Sequence, residues 1–113
     1  MSYPPQRRRV VAAAPRRQPA ELRAVRVVFE PDTEHDGQEY MRAHAEAEVI
    51  IEGVEQTLTS GGMWGIEDDA EDEYLDEIID GEWGALRTVL KTVGVPTEQL
   101  PLAVDRAWIQ WRT

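Results

Sequence analysis

One stretch limits the fold more than any other. Ala43, Ala45, Ala47, Val49 and Ile51 alternate with Arg42, His44, Glu46 and Glu48, and only Ile50 breaks the polar series. Such alternation places one set of residues on each face of a strand. Ala and Glu favour helices by propensity, but a run that ends in Val-Ile-Ile decides for a strand. Glu52-Gly53 follows where a hairpin loop belongs, with Gly supplying a positive φ. Closing that loop pairs Ile51 with Val54, Val49 with Gln56, Ala47 with Leu58 and Ala45 with Ser60. The opposite face pairs Ile50 with Glu55, Glu48 with Thr57 and Glu46 with Thr59. The first set is mostly apolar and the second mostly polar, as a hairpin with one buried face requires.

The elements on either side are read in the same way. Val25, Val27 and Phe29 alternate with Arg26, Val28 and Glu30, which predicts a strand over residues 24–30 that Pro31 ends. Asp32–Glu39 reads as a polar loop turning at Asp36-Gly37. After Ser60-Gly61-Gly62, the plug Met63-Trp64-Gly65-Ile66 leads into a helix capped by Asp68 or Asp69. Leu75, Ile78, Ile79, Trp83, Leu86, Leu90 and Val93 fall at helical spacing. Gly81 and Gly84 each cost about 1 kcal/mol relative to Ala and predict a kink or break. Gly94 is a natural terminator and Pro96 blocks continuation. A second helix is predicted from Thr97 or Pro101 through Leu100, Val104, Trp108 and Trp111. The expected architecture is therefore α+β: a three-stranded antiparallel sheet over residues 24–60, packed against two C-terminal helices.

Charge divides the 113-residue chain unevenly. Residues 1–26 hold seven arginines against one acid, Glu21. Within residues 1–20, Arg7, Arg8, Arg9, Arg16 and Arg17 lie among four prolines with little apolar bulk, so this segment reads as an extended basic arm. Residues 21–113 form the expected single acidic domain. Glu67, Asp68, Asp69, Glu71, Asp72, Glu73, Asp76, Glu77, Asp80 and Glu82 follow one another with no Lys or Arg between them. Carboxylates this dense repel one another and call for solvation or a partner. The pI of about 4.6 argues against the body gripping a phosphate backbone. No apolar run is long enough to span a membrane, and Val10–Ala14 is too short and too Pro-bounded for a signal segment. With no cysteine there is no disulfide, thiolate metal site or thiol nucleophile. A cytoplasmic or virion-associated protein is expected.

No constellation for catalysis emerges. The acidic run is not an EF-hand: counted from Asp68, Ala70 occupies the third position, Glu73 the sixth and Ile79 the twelfth. Paired catalytic carboxylates need environments that push their pKa values apart, and a solvated helix face offers none. Asp32, Glu34, His35 and Asp36 read as surface residues, and His35 and His44 imply no third metal ligand. Ser60-Gly61-Gly62 lacks the flanking glycine of a nucleophile elbow, and no Lys follows the glycines to hold a phosphate. No enzyme activity, cofactor or metal is expected. Trp64 and Trp83 sit on apolar stripes and read as buried, whereas Trp108 and Trp111 could dock on the sheet or meet a second protein.

The stretch Thr59-Ser60-Gly61-Gly62-Met63-Trp64-Gly65-Ile66-Glu67-Asp68-Asp69, followed by Tyr74-Leu75, resembles a signature of small bacterial, phage and plasmid proteins. In those, a hairpin leads through S-G-L-W-G-I-E-x-D into an acidic helix; Met63 stands where they have Leu. The resemblance implies a mobile-element setting and a shared fold, and it implies no activity and no functional residue. Together with the charge pattern it leads to the expectation of a non-enzymatic accessory protein. Such a protein would present residues 67–80 to a basic protein surface as a nucleic-acid mimic. The rival expectation is an assembly protein whose basic arm contacts neighbouring subunits or nucleic acid, which leaves room for a homo-oligomer.

Overall fold

The computed structural model describes residues 18–35 and 38–112. The expected arm arginines Arg7, Arg8, Arg9, Arg16 and Arg17, and the turn at Asp36-Gly37, lie outside the described residues. Five strands, β1 (Glu21–His35), β2 (Gln38–Ile51), β3 (Val54–Thr59), β4 (Met63–Glu67) and β5 (Ile109–Trp111), form one sheet that packs against a helix, α1 (Asp72–Thr92). The sheet runs β3-β2-β1-β5, and β4 also pairs with β2. This overturns the expected three-stranded antiparallel sheet with two C-terminal helices: among the described residues the sheet is five-stranded and mixed, and there is one helix.

The hairpin takes the register read from its alternation, from Ile51↔Val54 to Glu46↔Thr59. Glu52 and Gly53 both have positive φ, 52° and 81°, so the loop follows the right-handed twist of its strands. Ala43, Ala45, Ala47 and Val49 are fully buried against α1. β1 continues through Pro31, contrary to expectation. Phe29 accepts from the Arg112 amide at 2.8 Å, so that side of the strand faces β5. Pro31 faces the same way beyond the end of the β5 ladder, where a missing N–H breaks no bond.

β3 and β4 share the far edge of β2, one after the other, with Ser60–Gly62 between them. Gly65, at φ +78°, is the extra residue of a bulge: Ile66 lies opposite Met41, while Trp64 lies opposite Arg42. That insertion sends Ile66 into the core and turns Trp64 to the outer face of the sheet. Trp64 is therefore 72% exposed, not buried as its apolar neighbours suggest. Trp83 is buried at 4% exposure.

α1 starts later than expected. Glu71 is its N-cap, without a side-chain capping bond, and Asp68 and Asp69 belong to the preceding turn. It then runs unbroken through Gly81 and Gly84. Burying a large apolar side chain contributes about 1.5–3 kcal/mol, and Ile78, Ile79, Trp83 and Leu86 on either side of those glycines outweigh their cost. The helix ends as predicted at Gly94 (φ +99°), where Val95 donates to the Leu90 carbonyl at 3.0 Å and Gly94 to Lys91 at 3.1 Å.

The predicted second helix does not form. Residues Thr97–Gln99 and Arg106–Trp108 make single 3-10 turns, and Ile109–Trp111 joins β1 as a parallel edge strand. Pro101 cannot donate to a helical ladder, and a helix this short is marginal on its own. The unpaired backbone of β1 offers Ile109 and Trp111 a ladder that suits β-branched and aromatic residues.

Candidate functional site

Most of the acidic run lies on one continuous surface. Glu67 ends β4, Asp68 and Asp69 turn the chain, Glu71 caps α1, and Asp72, Glu73, Asp76, Glu77 and Asp80 occupy its first turns. On the helix, Asp72, Asp76 and Asp80 recur every four residues, about 6 Å apart along the axis, with Glu73 and Glu77 as the neighbouring row. All nine are exposed except Asp76, which is half-buried. Asp76 accepts from Arg106 Nη2 at 2.6 Å, a counter-charge the sequence pattern missed because it sits 30 residues away. Both partners are at least half exposed, so the pair contributes at most about 1 kcal/mol. Among the described residues, none of the other eight carries an ion pair.

Glu82, last in the run, does different work. Its Oε1 accepts from the Ser60 hydroxyl at 2.6 Å and from the Gly62 amide at 3.0 Å. Ser60 Oγ in turn accepts from the Ala45 amide at 2.9 Å. This carboxylate clamps α1 onto the break between β3 and β4. Gly62 sits there at φ +86°, where a Cβ would come within 3.5 Å of the Ala43 carbonyl oxygen.

The outer face of the sheet carries a second cluster of charged residues. Arg26 Nε donates to Glu46 at 2.7 Å and its Nη1 to Glu48 at 2.7 Å; Arg42 Nε donates to Glu30 at 3.0 Å. His44 Nε2 lies 2.5 Å from Glu46 Oε2, and Arg112 approaches both Glu30 and Glu46. Glu46 is 9% exposed. Burial pushes its carboxyl up, but hydrogen bonds from His44 and Arg26 and the Arg26 charge outweigh that and hold it below the ordinary carboxylate range. The Arg26 guanidinium is held above its ordinary value, first by its bond to Glu48 and, against the cost of burial, by Glu46. Arg26 and Glu46 are cross-strand partners in the ladder, so this pair was open to sequence reasoning once β1 and β2 were set in register.

A second feature that sequence reasoning missed lies at the C-terminal edge. The Trp111 ring stacks on Phe29, with centroids 4.6 Å apart and planes at 17°. Beside it lies a cleft of about 200 Å³ walled by Phe29, Pro31, Tyr40, Met41 and Trp111. Among the described residues no group of three or more His, Asp or Glu is arranged to hold a metal ion. No protein-family model matches this chain, and no curated protein or solved structure resembles it significantly.

Proposed function

We propose that this chain is a non-enzymatic binding protein that presents its acidic ridge to a basic protein surface, one that otherwise holds nucleic acid. The observation that carries this reading is the exposure of Glu67, Asp68, Asp69, Glu71, Asp72, Glu73, Glu77 and Asp80 along β4, its turn and the first turns of α1, with Asp76 the one that is countered among the described residues. Rows of carboxylates at helical spacing set negative charge at intervals of the order of those between phosphates along a strand. Such a field steers a basic partner from a distance and weakens as salt screens it. The mobile-element setting implied by the Trp64-Gly65-Ile66-Glu67 motif suits a protein that occupies a nucleic-acid-binding surface of its host. The ridge itself offers no chemistry beyond charge.

The test is capture from a bacterial lysate on the immobilised full chain, at low and then high salt. The expected yield is basic nucleic-acid-binding protein that elutes with salt and is displaced by duplex DNA. Changing Glu73 and Glu77 to Gln and Asp80 to Asn should abolish capture, while changing the five arm arginines to Gln should leave it intact. Capture that survives the ridge changes and is lost with the arm changes would overturn the reading in favour of assembly through the arm.

A further inference from the structure

We infer that the cleft beside Trp111 receives one arginine or lysine side chain of the basic partner, an anchor point within the ridge interface. The inference rests on the reading of the ridge as the docking surface. Three observations carry it. First, the walls are apolar and aromatic, from Pro31, Tyr40, Met41 and Trp111, and Trp111 keeps 57% of its surface exposed although one ring face lies on Phe29. Second, the rim holds two exposed carboxylates, Glu39 and Asp68. The one cation at the rim, Arg112, is turned toward Glu30, Glu46 and Gln110. Third, the cleft is continuous with the ridge: Asp68 belongs to both, and Trp111 also lines a neighbouring cleft with Asp72 and Asp76, where Arg106 is paired with Asp76.

Apolar walls below a carboxylate rim match a side chain with an aliphatic stem and a cationic head. A guanidinium or ammonium over an indole also gains from the ring quadrupole. At about 200 Å³ the cleft is smaller than the roughly 300–1,000 Å³ of small-molecule sites, which suits one side chain rather than a cofactor. An exposed tryptophan in a pocketed surface next to a charged field is also the kind of residue that dominates interface energetics.

The probe is a fluorescein-labelled oligo-arginine peptide titrated into the full-length protein, read by anisotropy and by the Trp indole N–H resonances. The Trp111 indole should shift on titration. Trp111→Leu should weaken binding on the order of fivefold. Because Trp111 also packs on Phe29, a second variant keeps the packing intact: Glu39→Gln with Asp68→Asn. That pair should weaken binding more than Glu73→Gln with Glu77→Gln, which removes equal charge from the ridge away from the cleft. A rim pair no worse than this control, with an unmoved indole, overturns the cation site and leaves the ridge reading standing. A weakened rim pair beside an unaffected Glu73→Gln, Glu77→Gln variant keeps the cation site and sinks the ridge reading. Tighter peptide binding when Arg7, Arg8, Arg9, Arg16 and Arg17 are changed to Gln would give the cleft to the chain's own arm and overturn its assignment to a partner.

Discussion

Changing Glu82 to Ala removes the oxygen that accepts from Ser60 Oγ at 2.6 Å and from the Gly62 amide at 3.0 Å. The two donors fare differently. Ser60 is buried at 5% exposure and its hydroxyl loses its acceptor, whereas the Gly62 amide is exposed and turns to water. A hydrogen bond to a charged group contributes about 1.5–3 kcal/mol, and a buried donor left alone costs about 1–3 kcal/mol. The expected loss is therefore about 2–3 kcal/mol, reduced by a few tenths as repulsion within the acidic run is relieved. Glu82→Gln keeps an acceptor oxygen and should cost about 1 kcal/mol. Glu77→Ala, on the same helix but exposed and unpaired among the described residues, should be neutral or slightly stabilising. Urea denaturation followed by tryptophan fluorescence, to which buried Trp83 contributes, measures all three as midpoint shifts at unchanged slope. A cycle with Ser60→Ala should return a coupling of about 1–2 kcal/mol. Equal shifts for Glu82→Ala and Glu77→Ala, or no coupling to Ser60, would refute the clamp and return Glu82 to the ridge.

Three further outcomes follow from the same geometry. Ala47→Glu puts a carboxylate into the fully buried face and should cost more than about 4 kcal/mol, whereas Glu48→Ala loses one half-buried contact to Arg26 and should cost about 1 kcal/mol or less; comparable chemical-denaturation midpoints would contradict the register. Gly81→Ala and Gly84→Ala should each stabilise by about 0.5–1 kcal/mol, since both are helical, exposed and have open space where a Cβ would stand; calorimetry that shows a loss would mean the helix bends there. Glu46 ionises more readily folded than unfolded, so its contribution is complete above the ordinary carboxylate pKa and is lost as pH falls through its lower folded value. Glu46→Gln should accordingly flatten the acid limb of the stability–pH profile, and an unchanged limb would place acid sensitivity elsewhere.

The hairpin was legible because its period, its loop residues and its cross-strand pairs all demand one register. The helix was legible from Ile78 to Leu90 for the same reason, and its end was marked by Gly94 and Pro96. The second helix failed because Leu100, Val104, Trp108 and Trp111 are spaced for a helix in a segment whose fate is set by tertiary context: an open β1 edge outbids a short helical repeat. Trp64 failed on one residue. Its spacing from Ile66 implies a shared face, and Gly65 inserts the bulge that separates them. An isolated glycine inside an apolar strand was the available signal. The nine ridge carboxylates were readable as a run, but Arg106 beside Asp76 and the clamp at Glu82 depend on contacts 30 and 22 residues distant, which no local pattern encodes. The Trp111 cleft was hidden for the same reason, since its walls come from β1, β2 and β5.

How the described cations are placed explains why they leave most of the ridge uncompensated, and it narrows where function is to be sought. Arg26, Arg42 and Arg112 are engaged on the outer face of the sheet with Glu30, Glu46 and Glu48, Arg23 lies beside Glu21, and Arg87 has no ion pair among the described residues; Arg106 is the one described cation that pairs with a ridge carboxylate. Lys91 lies in the last turn of α1, where it complements the helix dipole. The same dipole accounts for Asp72 and Glu73 in the first turn, and Asp76 has Arg106. It does not account for Glu77 and Asp80: the dipole's influence fades beyond the terminal turn, both are exposed, and like charges at this spacing oppose helix formation. Among the described residues these two carboxylates have no partner, so they cost stability with no described contact to offset it. Glu77→Gln with Asp80→Asn therefore separates the two explanations of the ridge. A solvated helix face predicts a gain in stability and no change in partner capture. A docking surface predicts the same gain in stability together with loss of capture and of its salt dependence.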